Sequence, residues 1–302
     1  MYLYDIICRK FDLYGTGTDT ALFLVSVLLC IIIPYLIGSI NPSIILSKKL
    51  YKEDIRAYGS GNAGTTNTLR TYGTKMAVLI LVLDMLKAAL AIFFGIFLLT
   101  RGVGGAIAAI FVVLGHMFPI YYKFRGGKGV ACTAICILIL SPVTFPIIFA
   151  VFILIAVLTR YVSLASIICA MLFPFLNHVF YVEQIEDKTV HTNPGITLAA
   201  LLIGALVVFM HRENIKRLME GKESKFSFKK TDKHKVGDES AEEPKAKVEA
   251  PKEKKYSDDD FVKCACGRII PRSRAVCVYC GEKNPAYVPR EDDKKGRKKK
   301  SK

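Results

Sequence analysis

The chain has 302 residues, of which 52% are hydrophobic, and its formal net charge at pH 7 is +16. A hydrophobic fraction this high excludes an ordinary soluble globular protein of this length. The apolar residues are concentrated in long runs, whereas most of the excess basic charge lies after residue 211. The composition therefore indicates a membrane-embedded body followed by a basic tail.

The apolar runs are long enough to be membrane helices, since a helix needs about 20 apolar residues to cross a hydrocarbon core of about 30 Å. One run, 130–159, is too long for a single crossing, and proline disfavours helix in the residue before it. We therefore divide that run at Ser141-Pro142 and predict an all-α polytopic membrane protein with seven transmembrane helices. The predicted spans are 20–40, 76–99, 103–122, 130–141, 143–159, 161–182 and 195–210.

Three polar segments follow the first, third and seventh spans. We name them the first signature (Gly59–Arg70), the second signature (Gly126–Gly129) and the third signature (His211–Asn214). Because each follows an odd-numbered span, all three are expected on one face of the membrane. The segments on that face are rich in Lys and Arg, whereas the loop 183–192 on the other face is acidic. The positive-inside rule then predicts a site at the cytoplasmic face.

The first signature combines glycines with small polar side chains and one arginine. Glycines let backbone amides approach a phosphate closely, and Ser, Thr and Asn side chains supply neutral hydrogen-bond partners. Arg70 can pair with phosphate in a bidentate fork. The alternative is a turn-rich loop with helix caps, since the same residues are common turn formers.

The second signature places backbone amides, the positive end of a helix and the ammonium of Lys128 together, which is a natural anion cradle. The alternative is a glycine turn with an interfacial lysine. In the third signature, His211 and Asn214 are three residues apart and share a helix face. A basic cluster after a last span is also typical of an ordinary membrane stop.

Together these patterns resemble the bacterial acyl-phosphate–glycerol-3-phosphate acyltransferases, the PlsY family. The resemblance covers about residues 20–224 and implies a seven-span enzyme with its site at the cytoplasmic face. It implies transfer of a fatty acyl group from acyl phosphate to sn-glycerol 3-phosphate, giving 1-acyl-glycerol 3-phosphate and phosphate without a catalytic cofactor. The motifs that carry it are Ser60-Gly61-Asn62, Thr66-Asn67, Arg70, Asp84 with Lys87, Gly115-His116, Pro119, Gly126-Gly127-Lys128-Gly129-Val130, His211-Arg212, Asn214-Ile215, Arg217, Gly221 and Glu223.

The resemblance also implies roles for individual residues. Lys128 and Arg70 are expected to clamp phosphates. His211 is either the general base for the glycerol hydroxyl or a binding residue, if the donor phosphate takes the proton itself. The implied catalytic residues are Ser60, Lys128, His211 and Asn214. The implied substrate-binding residues are Arg70, Gly61, Asn62, Thr66, Asn67, Gly126, Gly127, Gly129, Arg212 and Glu223.

The chain continues beyond the resemblance with four cysteines in two close pairs. Such pairs in a short segment without a core predict a structural four-cysteine zinc site of ribbon type. Disulfides are the alternative, which a cytoplasmic location disfavours. The predicted zinc ligands are Cys264, Cys266, Cys277 and Cys280. The predicted domains are a short extracytoplasmic segment 1–19, the acyltransferase domain 20–224, a charged disordered linker 225–260, the zinc-ribbon-like module 261–288 and a basic tail 289–302.

The tail and the membrane body each leave alternatives open. A polybasic cytoplasmic tail is attracted to anionic membrane lipids, although it can equally serve solubility. The zinc-ribbon-like module is expected to dock a protein partner or to regulate. Nucleic acid is not an expected partner, since no fold signature for it accompanies the charge. The alternative functions are a membrane transporter and a scaffold with an inactive acyltransferase core.

Overall fold

A computed structural model describes residues 2–186 and 194–226, together with the short stretches 261–263 and 269–271 and residue 283. The chain divides into two compact units, Met1–Ala241 and Glu242–Lys302. The described part of the first unit is helical, with two 3₁₀ turns at Ile55–Ala57 and Ile120–Tyr122. Its helices are α1 (Leu3–Phe11), α2 (Gly17–Ser39), α3 (Pro42–Tyr51), α4 (Thr65–Tyr72), α5 (Thr74–Leu98), α6 (Gly104–Met117), α7 (Val130–Leu140), α8 (Thr144–Thr159), α9 (Val162–Glu186), α10 (Pro194–Met210) and α11 (Arg212–Met219).

Several helices of the first unit are long and apolar enough to cross a membrane. Within the described residues four stretches qualify, and α10 with α11 qualifies as a fifth if the pair, bent by 54°, is one span. The four stretches are Gly17–Tyr51, Thr74–Leu98, Gly104–Tyr122 and Val162–Phe180. The chain is therefore an integral membrane protein.

Each of the seven predicted apolar runs contains a helix of its own, namely α2 and α5 to α10. The predicted break at Ser141-Pro142 is present, because α7 ends at Leu140 and α8 begins at Thr144. These two helices have 11 and 16 residues, so they are about 16 and 24 Å long. Both are shorter than a hydrocarbon core of about 30 Å. The predicted segment 1–19 contains the helix α1, which the apolar pattern of the sequence does not predict.

Small residues allow the central helices to pack closely. A Cβ at Gly115 of α6 would collide with the backbone of Tyr35 in α2, and a Cβ at Gly95 of α5 would collide with Gly104 of α6. In lipid, helices associate through such close backbone approach rather than through the hydrophobic effect. The resulting core contains Ala88, Ala91, Ile92, Ala109, Val112, Val113, Cys132 and Cys136.

The contacts between helix ends fall into two layers. At one layer, which we call the signature end, Ser163 at the start of α9 bonds Glu223 after α11. At the other layer, Arg101, between α5 and α6, donates to the carbonyl of Ile139 near the end of α7. There too, Asn177 in the second half of α9 accepts from Ser141, just after α7, and donates to Thr197 near the start of α10. The seven helices α2 and α5 to α10 therefore run in alternating directions.

In the second unit the structure describes one antiparallel pair of strands, β1 (Phe261–Lys263) and β2 (Ile269–Pro271), with Val262 opposite Ile270. The four predicted zinc ligands, most of the linker 225–260 and the tail 289–302 lie outside the described residues. The zinc site therefore stays a prediction.

Candidate active site

A side-chain hydrogen bond joins the second signature to the third. Lys128 precedes α7, and its ammonium donates to Oδ1 of Asn214, which lies in the first turn of α11. The amide of Asn214 in turn donates to Oε1 of Glu223, with 2.6 Å between Nδ2 and Oε1. Lysine, asparagine and glutamate thus form one continuous chain of hydrogen bonds at the signature end.

Glu223 is the centre of this arrangement. Its carboxylate also accepts from Ser163 Oγ at 2.8 Å and from Arg217 Nε at 2.8 Å. Burial acts to raise the pKa of Glu223, but the hydrogen bonds from Arg217, Asn214 and Ser163 outweigh it and lower that pKa. Glu223 is therefore an ionised carboxylate that holds α9, α11 and the segment after α11 together.

Lys128 lies in a site where positive charge is costly. Burial is the largest cause that lowers its pKa, and the nearby guanidiniums of Arg217 and Arg70 add to the effect, whereas Glu223 opposes it. Together they lower the pKa of Lys128 to about 8. The side chains of the site therefore carry more positive than negative charge, and an anionic ligand would relieve that imbalance.

His211 is buried at the bend between α10 and α11. Its Nδ1 lies 2.8 Å from the carbonyl oxygen of Val207, and a carbonyl can only accept, so Nδ1 carries the proton. Burial, and then the positive charge of Lys128, lower the pKa of His211 to about 4. The imidazole is therefore neutral at neutral pH, and its Nε2 is a hydrogen-bond acceptor.

The first signature is a tight loop organised by Asn67. The Nδ2 atom of Asn67 donates to the carbonyls of Tyr58 and Asn62 at 3.0 Å each, and its Oδ1 accepts from the backbone N–H of Ser60 at 2.9 Å. Asn67 is buried with its amide satisfied by the loop itself. These bonds give Asn67 a role in shaping the loop, whereas the family resemblance predicts that it binds substrate.

The other polar residues of the first signature are open to solvent to some degree. Ser60, Gly61, Asn62 and Thr66 are half-buried along the loop and the first turn of α4. Arg70 is half-buried as well, and its guanidinium donates to the carbonyl of Ser224 at 3.4 Å. That bond brings the first signature to the segment that carries Glu223.

The glycines of the second signature lie directly over the end of α6. The N–H groups of Gly126 and Gly127 donate to the carbonyls of Met117 and His116 at 3.1 and 3.2 Å. A Cβ at Gly126 would collide with the carbonyl of His116, and a Cβ at Gly127 with the His116 imidazole. Gly129 adopts a φ of +76° just before α7, a conformation that favours glycine. The loop can therefore follow this path only with glycine at these places.

Arg56, just before the first signature, hydrogen-bonds the segment just before the second signature. Its guanidinium is held by Asp54 and donates to the carbonyls of Tyr122 and Arg125, each at 3.0 Å.

Arg212, by contrast, is exposed, and its guanidinium lies 4.8 Å from the centre of the Phe209 ring. The structure thus gives Arg212 no contact with Lys128, Asn214 or Glu223.

Sequence reasoning missed two members of this site and left a third group without a role. Ser163 lies in the first turn of an apolar helix, where the sequence gives no signal for it, and Arg217 appeared only as part of a motif.

Among the described residues, Asp84, His116 and Cys132 place ligand-type atoms within 4.8 Å of one another. Lys87 Nζ lies 2.9 Å from Asp84 Oδ1, however, so a cation already neutralises that carboxylate.

The fold and this site define the class of the protein: it is an integral membrane protein whose polar side chains at one end carry more positive than negative charge, which suits an anionic ligand. The family model described as glycerol-3-phosphate acyltransferase matches residues 28–221. The chain therefore belongs to the glycerol-3-phosphate acyltransferase family, as the sequence motifs predicted.

Individual relatives and solved structures agree with this assignment. The chain is 43% identical over 198 residues to a glycerol-3-phosphate acyltransferase of Thermoanaerobacter pseudethanolicus, which covers 66% of this chain and 94% of that protein. It is 37% identical to glycerol-3-phosphate acyltransferase 2 of Bacillus anthracis, over 66% and 98% of the two chains. It is also similar to the crystal structure of PlsY (YgiH), an integral membrane glycerol 3-phosphate acyltransferase, in its glycerol 3-phosphate form. There the TM-score is 0.60, the identity 34%, and the match covers 67% of this chain and 96% of that one.

Proposed function

We propose that this protein transfers a fatty acyl group from an acyl phosphate to sn-glycerol 3-phosphate. The products would be 1-acyl-glycerol 3-phosphate and inorganic phosphate, in the first step of phospholipid biosynthesis. The observation that carries the proposal is the hydrogen-bonded chain from Lys128 through Asn214 to Glu223. With Arg217 and Arg70 nearby, three cations and one carboxylate lie at the ends of membrane helices, where a lipid acyl chain and a phosphorylated polar substrate can meet. The printed names of the relatives support glycerol 3-phosphate as the acceptor.

The chemistry asks little of the protein beyond positioning and charge. An acyl phosphate is an activated mixed anhydride, so no cofactor or covalent enzyme intermediate is needed. The glycerol hydroxyl oxygen attacks the acyl carbon, and the bond between that carbon and the phosphate oxygen breaks. Lys128, Arg70 and the N-terminus of α7 would stabilise the charge on the departing phosphate, while Ser60 and Asn214 would orient the two substrates.

The environment of His211 favours binding over base catalysis. An efficient general base has a pKa near the operating pH, whereas burial and Lys128 lower the pKa of His211 to about 4. We therefore assign His211 to accept a hydrogen bond from the acceptor substrate through Nε2. The hydroxyl proton would then go to an oxygen of the departing phosphate.

We further propose seven membrane crossings with the signature end in the cytoplasm. The alternating direction of successive helices supports this number, with α7 and α8 as short crossings. Hydrophobic spans shorter than the bilayer are accommodated by local thinning and by snorkelling of flanking residues. The basic residues near the signatures support the cytoplasmic side. The polybasic tail would then be attracted to anionic lipids of that leaflet.

The tail proposal concerns a structural metal outside the catalytic site. We infer that Cys264, Cys266, Cys277 and Cys280 bind one zinc ion and that the module docks a protein partner. The spacing of the cysteines in the sequence supports this. Metal analysis of the purified full-length protein should find about one zinc per chain. Replacement of Cys277 and Cys280 with serine should abolish it, and zinc retained by that variant would contradict the assignment.

Growth rescue separates the proposed function from a transporter and from an inactive scaffold. Residues 1–224 should restore growth to a bacterium that lacks its acyl-phosphate-dependent acyltransferase. Lys128→Ala and His211→Ala should each abolish rescue at normal expression, whereas the matched control Lys123→Ala, on an exposed position of the preceding loop, should rescue fully. Rescue by both site variants would refute the active-site assignment.

A further inference from the structure

A group of ionisable side chains lies buried beneath the second signature, within the membrane helices. Asp84 and Lys87 are on α5 and His116 is near the end of α6, and their exposed fractions are 1%, 7% and 3%. Buried charges in a membrane span are costly and are retained mainly where they serve a function. None of the three has a role in the proposed reaction. We call them the buried triad.

The buried triad is connected internally by short contacts. Lys87 Nζ lies 2.9 Å from Asp84 Oδ1 and 3.0 Å from His116 Nδ1, and His116 Nδ1 lies 3.3 Å from Asp84 Oδ1. The charges of lysine and aspartate balance within the group. The imidazole is therefore held on its Nδ1 side by two charged groups and cannot rotate without breaking those contacts.

The buried triad also fixes the end of α2. The ammonium of Lys87 donates to the carbonyls of Gly38 and Ile40, at 3.1 and 2.7 Å. These carbonyls belong to the last turn of α2 and its C-cap, where a positive charge offsets the negative end of the helix dipole. Three helices, α2, α5 and α6, are thereby held in one arrangement just below the signatures.

The other side of the imidazole faces the second signature. A Cβ at Gly127 would collide with His116 Nε2 on one side and approach the carbonyl of Ala63, in the first signature, at 2.7 Å on the other. Gly127 therefore lies between the His116 ring and the first signature, in a space too small for any side chain. Its N–H also donates to the carbonyl of His116. The position of the ring thus fixes the position of Gly127. Because Lys128 is the next residue, it also limits where Lys128 can lie.

We propose that Asp84, Lys87 and His116 are positioning residues. They hold the second signature in the position in which Lys128 and the loop amides bind phosphate. The triad does not touch substrate. Its contacts fix α2, α5 and α6 relative to one another, and the His116 ring contacts Gly127 and so positions the anion site. The inference deepens the proposed function, but it concerns phosphate affinity and can be tested without acyl transfer.

The test uses inorganic phosphate as the probe and the full-length protein in detergent. Two variants disturb the triad: His116→Ala removes the ring, and the double variant Asp84→Asn/Lys87→Met removes both charges at nearly constant volume. The matched control is Ile92→Ala, a fully buried residue of α5 in the apolar core. The rise of the melting temperature with phosphate concentration, fitted to the linkage relation RT ln(1 + [L]/Kd), gives the affinity separately from the stability.

Both triad variants should need at least about tenfold more phosphate than the wild type for the same rise in melting temperature, because small displacements of a binding loop are costly. The control should keep wild-type affinity within about twofold although its melting temperature falls. Combining His116→Ala with Lys128→Met should give a loss smaller than the product of the two single losses, because both act on one site.

Wild-type phosphate affinity in either triad variant would overturn the proposal, as would an equal loss in Ile92→Ala. Absence of any stabilisation of the wild-type protein by phosphate would overturn it as well. Failure of the proposed function gives a different result: phosphate binds and the triad variants weaken it, but no acylated glycerol 3-phosphate forms.

Discussion

Replacing Glu223 with glutamine removes one negative charge from the signature end while keeping the shape of the side chain. The carboxylate accepts from Asn214 at 2.6 Å and from Ser163 and Arg217 at 2.8 Å. Glutamine keeps a single acceptor oxygen, and its amide group would oppose one of the donors. Hydrogen bonds that involve a charged partner contribute about 1.5–3 kcal/mol each. We therefore expect Glu223→Gln to lose about 2–3 kcal/mol of stability.

A loss of this size should lower the melting temperature of the membrane body by roughly 5–10 °C, at about 2–4 °C per kcal/mol for a domain of this size. Circular dichroism at 222 nm in detergent measures it. The control is Glu220→Gln, because Glu220 pairs with Lys222 at 3.6 Å with both side chains exposed. A surface pair of this kind contributes at most about 1 kcal/mol.

The same substitution should change the pH dependence of activity in a defined direction. Glu223 acts to raise the pKa of Lys128, which is about 8. Without the carboxylate that pKa falls, so Lys128 loses its charge at lower pH and the alkaline loss of kcat/KM begins earlier. If Glu223→Gln melts like Glu220→Gln and its alkaline limb does not move, the central role of Glu223 is refuted.

Three further predictions concern the signatures. In Lys128→Arg the alkaline loss of kcat/KM near pH 8 should disappear from the pH profile of whatever activity remains, because a guanidinium stays charged; an unchanged limb would exclude Lys128 as its cause. Gly127→Ala should reduce kcat/KM by about 100-fold or more, since its Cβ collides with His116. Gly64→Ala, where a Cβ has open space, should stay within about threefold, and equal losses would argue against the close fit. Asn67→Ala should cost about 2–4 kcal/mol of stability by leaving buried loop groups unpaired, and unchanged thermal unfolding would contradict its role in shaping the loop.

The sequence was sufficient for the seven apolar helices and for the family. Hydropathy places each of the seven apolar runs because a membrane helix must satisfy its backbone internally, and the break at Ser141-Pro142 follows from the chemistry of proline. The glycines and polar residues of the three signatures carry the resemblance that the family model bears out.

The details of the site could not be predicted because they depend on contacts between distant segments. Ser163 bonds Glu223 across 60 residues and Lys128 bonds Asn214 across 86, and no local pattern records such pairs. Asn67 fits the pattern of a phosphate-binding residue as well as that of a turn former, and only its hydrogen bonds distinguish the two. The amphipathic helix α1 is too short to give a membrane signal.

The central claim is direct acyl transfer from acyl phosphate, and the purified protein in detergent tests it with labelled sn-glycerol 3-phosphate as acceptor. With acyl phosphate as the only donor, we predict 1-acyl-glycerol 3-phosphate and inorganic phosphate in equal amounts, and neither product with Lys128→Ala. Robust transfer from acyl-CoA with none from acyl phosphate would contradict the account.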